Sequence, residues 1–278
     1  MTYAGREKFQ AGRIVTLPTN TTQDESRKRG LVSISIVSHA QTKLVSRLLT
    51  SLGRYETDLD YELILLENSP GGLDHDWSAL DRPVKFVAND KPRGLAHNWN
   101  TTFALARGEY FCLMNPDLIF VEPVFPRLIE DIRGGVADIV APAVYDASGR
   151  LQASARELPS AWSIFMRRVT PGYAELENLE LLPSEPDWIA GMFLLMRSDV
   201  YQNLGGMNER YYLYFEDVDF CTRARLAGYQ LSVNKRVKVV HDAQRSSRRH
   251  PKYLAWHLLS AIRFLSSPVY RQARQQAA

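Results

Sequence analysis

Four short apolar segments alternate with helical repeats in the first half of the chain, and this alternation limits the fold more than any other feature. Leu31-Val-Ser-Ile-Ser-Ile-Val37, Tyr61-Glu-Leu-Ile-Leu-Leu66, Val84-Lys-Phe-Val-Ala88 and Glu109-Tyr-Phe-Cys-Leu-Met114 read as strands. Leu44, Leu48, Leu49 and Leu52 mark a helix after the first strand, and residues 95 to 106, stopped by Gly108, mark another before the fourth. Strands alternating with helices at this spacing predict an α/β fold with a mostly parallel sheet covered on both faces. In such sheets ligands bind beyond the carboxyl ends of the strands. There the chain places Ser38-His39, Glu67-Asn-Ser69, Asn89 to Gly94 and Asn115-Pro-Asp117. Each could be turn chemistry, since Asn, Asp, Ser, Pro and Gly are the usual turn residues. Four polar ends on one edge predict a pocket.

Beyond Asp117 the pattern changes. Val136-Ala-Asp-Ile-Val-Ala-Pro-Ala-Val144 and Asp146-Ala-Ser-Gly149 predict a strand and hairpin turn, and residues 162 to 169 a helical connection. Trp188-Ile-Ala-Gly-Met-Phe-Leu-Leu-Met196 reads as one strand, in which Gly191 leaves room for something to approach its backbone. A short helix over residues 199 to 204 leads to Gly205-Gly-Met-Asn-Glu209 and the aromatic run Tyr211, Tyr212, Tyr214, Phe215. Three carboxylates follow, Glu216, Asp217 and Asp219, in the first turn of a helix stopped by Gly228. The helix dipole favours acids there, so capping is one reading. The aromatic run supplies the other, a cleft wall suited to sugar rings. Asp219 and Arg223 have the spacing of an ion pair within the helix. Tyr229-Gln-Leu-Ser-Val233 and Val237-Lys-Val-Val-His241 read as two strands.

The length of 278 residues suits one large domain or one and a half. Cys112 and Cys221 lack metal-ligand spacing and read as core thiols in a reducing compartment. With no apolar run of membrane-spanning length and no apolar leader, the expectation is a cytoplasmic protein. The net charge of +3 conceals an asymmetry, because no acid follows Asp242 while Arg245, Arg248, Arg249, Lys252, Arg263, Arg271 and Arg274 do. Such a tail seeks an anionic surface. Nucleic acid ranks low, since only Tyr253 and Trp256 interleave with the cations, which leaves a peripheral membrane contact as the expected partner. A helix from Pro251 aligns Leu254, Leu258, Ala261, Ile262 and Leu265 on one stripe, with Trp256, Leu259 and Phe264 extending it. Packing on the domain and lying at the membrane interface both remain open for it. The expected division is a polar appendage over residues 1–30, the main domain over 31–250, and the basic tail over 251–278.

Asn115-Pro-Asp117, Trp188-Ile-Ala-Gly191, Gly205-Gly-Met-Asn-Glu209, Tyr212-Leu-Tyr-Phe-Glu-Asp-Val-Asp219 and His241 together resemble the family 2 inverting glycosyltransferases, most of all their bacterial rhamnosyltransferase-type branch. The resemblance implies a GT-A fold, with a Rossmann-like sheet flanked by helices and a smaller acceptor-side portion. It also implies a nucleotide-sugar donor, a divalent cation and inversion at the anomeric carbon. Asp217 matches the base, and Glu216 a position that supports the base or the acceptor. Asp117 and His241 match the contacts to Mn2+ or Mg2+, with imidazole favouring Mn2+. Asn115 stands where many relatives carry the first acid of an Asp-x-Asp. The residues set toward the donor are Ser38, Glu67, Arg93, Asn100, Asn115, Asp117 and Gly191. Of these, Glu67 replaces the Asp that relatives offer to the pyrimidine, and the helix start after Gly94 could hold phosphate. His97 and Asn98 are read as facing solvent. Trp188, Tyr214 and Arg245 are set toward the acceptor. The implied donor is dTDP-rhamnose, with a UDP-hexose as the alternative, and the acceptor a saccharide or a polyprenyl-diphosphate-linked one at the inner face of the membrane. Glu67 and Asn115 keep a non-catalytic sugar-nucleotide-binding protein on the same fold as a further reading. The oligomeric state is not legible.

Overall fold

The computed structural model describes residues 15–16, 27–70, 84–169, 182–183, 185–242 and 251–276. Its first half comprises β1 (Val15–Thr16), β2 (Lys28–Ser38), α1 (Thr42–Tyr55), β3 (Tyr61–Glu67), β4 (Val84–Ala88), α2 (Leu95–Phe103) and β5 (Gly108–Met114). Strands β4, β3, β2 and β5 lie side by side and parallel. Parallel strands are covered on both faces, which is why they read as unbroken apolar runs. All of β3 is buried, and Leu44, Val45, Leu48, Leu49 and Leu52 of α1 are buried at helical spacing. Part of the expected appendage belongs to the sheet. β1 pairs antiparallel with β4, and β2 begins at Lys28. Helix α2 stops at Phe103, short of Ala106, because Leu105 and Ala106 donate to carbonyls three residues back in a tightened last turn.

The second half comprises β6 (Leu118–Phe120), α3 (Phe125–Arg133), β7 (Ile139–Asp146), β8 (Ala155–Arg156), α4 (Ala161–Val169), β9 (Trp188–Ile189) and β10 (Phe193–Arg197). Then come α5 (Ser198–Asn203), α6 (Glu216–Leu226), β11 (Leu231–His241), α7 (Pro251–Leu265) and α8 (Pro268–Gln276). The main sheet runs β1-β4-β3-β2-β5-β10-β7-β11-β6. Six of its nine strands point one way, namely β2, β3, β4, β5, β7 and β11. This is the expected α/β, mostly parallel GT-A arrangement.

Three expectations for this half are revised, and two elements were not foreseen. The strand expected over residues 188 to 196 breaks at Gly191. β9 pairs with β8 in a separate two-stranded sheet, whereas β10 lies antiparallel between β5 and β7. The two strands expected over residues 229 to 241 are one, β11, with a register shift between Asn234 and Lys238. The short strand β6 and the helix α3 had no expectation at all. Finally, α7 buries only part of its expected stripe. Ser260, Ala261 and Phe264 are buried, and Ala261 and Phe264 cluster with Tyr211, Phe215 and Val218, so α7 packs on the domain. Leu258 and Ile262 of the expected stripe are 44% and 64% exposed. Among the described residues no helix is long and apolar enough to cross a membrane.

Candidate active site

The acidic stretch enters its helix through a distorted turn. Tyr214 and Phe215 both have left-handed backbones, with φ of 69° and 66°. For residues with a Cβ this costs about 1–2 kcal/mol each, so packing must hold them. Phe215 packs on Phe264 and His257 of α7 with ring centroids 5.7 and 5.4 Å apart, and Tyr214 meets the same His257 at 5.3 Å. Asp219 then donates its N–H to the Phe215 carbonyl at 2.9 Å and starts α6. Arg223 pairs with the buried Asp219 at 2.8 Å, the expected ion pair one turn apart.

That turn sets Asp217 and Glu216 in different surroundings. Asp217 is half-buried, and its carboxylate accepts the N–H of Gly191 and the N–H of Val218, each at 2.9 Å. Burial raises its pKa, and the two backbone donors and the charge of Arg156 oppose the rise. Glu216 is buried, and its Oε2 has no hydrogen-bond partner. Burial first, and then the neighbouring charge of Asp217, pushes its pKa well up. The pair therefore favours one negative charge over two. Gly191 is needed where it stands. A Cβ there would lie 2.8 Å from Trp99 Cη2 and 3.3 Å from Asp217 Cβ. The room that its missing side chain leaves is filled by the protein's own indole.

The expected metal contacts also meet. His241 Nε2 lies 3.0 Å from Asp117 Oδ2, while Asp117 Oδ1 is buried without a partner. Gln152 Oε1 lies 2.9 Å from His241 Nδ1, an outer contact of the kind that orients a metal-binding imidazole. Two donors about 3.0 Å apart match adjacent positions of an octahedron with bonds of about 2.1 Å. Among the described residues no three His, Cys, Asp or Glu side chains gather, so a cation here would take its remaining ligands from a bound diphosphate or water. A backbone hydrogen bond joins the loop that carries Asp117 to the strand break that holds Asp217. Asn115 donates its backbone N–H to the Met192 carbonyl at 2.9 Å, beside the Gly191 that holds Asp217.

The strand ends on the donor side are mostly self-satisfied. Glu67 is buried, and its Oε1 accepts from the N–H groups of Ala40 and Ser69 and from the Ser69 hydroxyl. Its Oε2 is buried and unpartnered. Ser38 is buried and accepts the Gln41 N–H, which shapes the entry to α1. Arg93 is exposed, and the Asn68 carboxamide clamps its backbone. Asn100 is committed elsewhere. Its carboxamide accepts from Met207 N–H and the Tyr201 hydroxyl and donates to Met207 O and Glu209. It latches α2 to the Gly205–Glu209 loop and leaves no capacity for a donor. The start of α2 is likewise engaged, because Leu95 gives its N–H to the Tyr212 carbonyl at 2.8 Å. Asn98 does not face solvent but is buried, accepting from Asn89, and His97 pairs with Glu209 at 2.8 Å.

On the acceptor side Trp188 and Tyr214 are half-buried. The Trp188 N–H donates to Glu157 O at 3.0 Å, and Arg156 Cζ lies 5.4 Å from the indole centroid. Arg245 lies outside the described residues. Gln152, Trp99 and Arg156 had no role in the sequence reading. Each acts through contacts with elements distant in the chain, and nothing in their local pattern signals them.

Carboxylates and a His–Asp pair thus lie near the carboxyl edge of this sheet. The family model of Glycosyl transferase family 2 matches residues 33–204, and the chain belongs to that family. It is similar to the rhamnosyltransferase WbbL of Escherichia coli, with 26% identity over 85% of this chain and 93% of that protein. It is also similar to an N-acetylglucosaminyl-diphospho-decaprenol L-rhamnosyltransferase of Mycobacterium tuberculosis, with 29% identity over 57% of this chain and 55% of the relative. Among solved structures, the mannosyltransferase PcManGT from Pyrobaculum calidifontis in complex with GDP-Man and Mn2+ superimposes with a TM-score of 0.54 at 17% identity, covering 87% of this chain and 68% of that one.

Proposed function

We propose that the protein transfers L-rhamnose from dTDP-rhamnose, with inversion, to a saccharide or polyprenyl-diphosphate-linked acceptor, using Asp217 as the base. The observation that carries this reading is the Asp217 carboxylate, fixed by Gly191 and Val218 and joined through Met192 to the Asn115–Asp117 loop. Inversion needs a base across the anomeric carbon from the leaving diphosphate. Asp217 takes the proton of the acceptor hydroxyl there, and its burial raises proton affinity in the direction that a base requires. Burial and the neighbouring Asp217 raise the proton affinity of Glu216, which disfavours a second charge on that pair. Asp117 and His241 would hold Mn2+ or Mg2+, which offsets charge growing on the departing diphosphate when bound. The unpartnered Glu67 Oε2 supports a pyrimidine whose ring N–H it accepts. Thymine and uracil both carry that N–H, so the rhamnosyl part rests on the similarity to rhamnosyltransferases. Transfer from a UDP-hexose is the second reading, supported by the same Glu67 oxygen.

Thermal shift with a panel of nucleotide sugars tests the proposal. The largest rise in Tm is expected with dTDP-rhamnose and Mn2+, and Asp117→Asn should lose the metal-dependent part. A larger rise with a UDP-hexose would replace the sugar. An equal rise in a chelator would remove Asp117 and His241 as metal contacts.

A further inference from the structure

We propose that the outward face of α7 docks on an anionic lipid bilayer. Three of the six exposed large apolar side chains among the described residues lie on this one helix: Leu258, Leu259 and Ile262, at 44%, 60% and 64%. At about 100° per residue they form one stripe with the exposed Ala255, opposite the buried Ser260, Ala261 and Phe264. Single exposed aliphatics are ordinary, whereas a contiguous set marks a contact surface. Trp256 borders the stripe, its ring tilted against Tyr212 with centroids 4.7 Å apart and Lys252 Nζ 4.7 Å from its own centroid. An indole and a cation at the edge of an apolar stripe suit the boundary between headgroups and acyl chains.

Charge decides between occupants. Lys252 at the edge of the α7 stripe and Arg271 on α8 are exposed, and no acid follows Asp242 anywhere in the sequence. A second copy of the chain would bring the same cations against these, whereas anionic headgroups neutralise them, at about fivefold in affinity for each. The inner side of the same helix touches the acidic turn through His257, so the docked face lies close to the candidate base. The inference is independent of which sugar is moved and of which residue is the base.

Co-sedimentation of the full chain with sucrose-loaded vesicles tests it. Binding to phosphatidylglycerol/phosphatidylcholine vesicles should exceed binding to phosphatidylcholine alone by at least about tenfold and weaken with added salt. The double variant Leu259→Glu/Ile262→Glu changes two exposed positions. It should bind about a hundredfold more weakly with an unchanged melting temperature. The proposal is overturned if the variant binds like wild type, or if wild type shows no preference for anionic vesicles. It is also overturned if light scattering finds a dimer that the variant converts to monomer, which would assign the face to a second copy.

Discussion

Buried charge is handled in opposite ways in the two halves of the sheet. Between β2, β3 and β4, Glu62 accepts from the Ser33 hydroxyl at 2.6 Å, the Arg107 N–H at 2.7 Å and Lys85 Nζ at 2.8 Å, and Lys85 also reaches Leu105 O at 2.6 Å. Both charged side chains are under 10% exposed and fully occupied by one another and the backbone. At the head of α6, by contrast, Glu216 Oε2 is buried with no partner, and the Asp217 carboxylate is held by backbone N–H groups. A paired buried charge fixes strands in place, whereas one held by backbone donors alone keeps its capacity to gain a proton. The first arrangement serves folding, and the second suits a reaction.

Substitutions on the two sides should therefore part company. Asp217→Asn should lower the transfer rate by about a thousandfold with the melting temperature kept, as initial rates beside a thermal scan would show. Turnover like that of wild type would end the base assignment. Lys85→Met leaves Glu62 buried without its cation and should cost about 3–5 kcal/mol in denaturant unfolding, with kcat per folded molecule unchanged. A fall in kcat instead would mean that the two halves are not separable. Gly191→Ala lies between these extremes, because its methyl must displace Trp99 or Asp217. A loss of about ten- to a hundredfold in kcat with a smaller loss of about 1–3 kcal/mol in stability is expected from parallel kinetic and unfolding measurements.

The smallest effect is on pH. Because burial raises the Asp217 pKa, the acid limb of the transfer rate should lie above the ordinary carboxylate value of about 4. The stability sign follows from the same shift. Glu216 and Asp217 hold protons more tightly folded than unfolded. Their contribution is therefore full below the unfolded value and lost as pH rises through the raised folded values. A pH–rate profile with its limb at or below the ordinary value would count against a buried base.

Strands β2 to β5 were legible because parallel strands, buried on both faces, spell long apolar runs cut by turn residues. Asp117, His241 and Asp217 were singled out by the family resemblance and not by local spacing, and the structure brings the first two within 3.0 Å. The break at Gly191 was not, since the apolar letters continue across it. What interrupts the strand is an indole from α2 and a carboxylate from α6. Asn100 sits in a donor-like motif, yet which face of α2 meets the Gly205–Glu209 loop is decided by tertiary packing. Which part of the α7 stripe would be covered was not legible, for a related reason. Periodicity marks where apolar residues lie, and only the partner, here Tyr211, Phe215 and Val218, determines which of two faces is covered.

The left-handed pair Tyr214–Phe215 ties the aim of the acids to a helix that begins more than thirty residues later in the chain. Grafting the acidic stretch onto another scaffold would carry over every carboxylate and none of the clasp that winds the backbone against its preference. The reactive letters are local, but the angle at which they are presented is held at a distance.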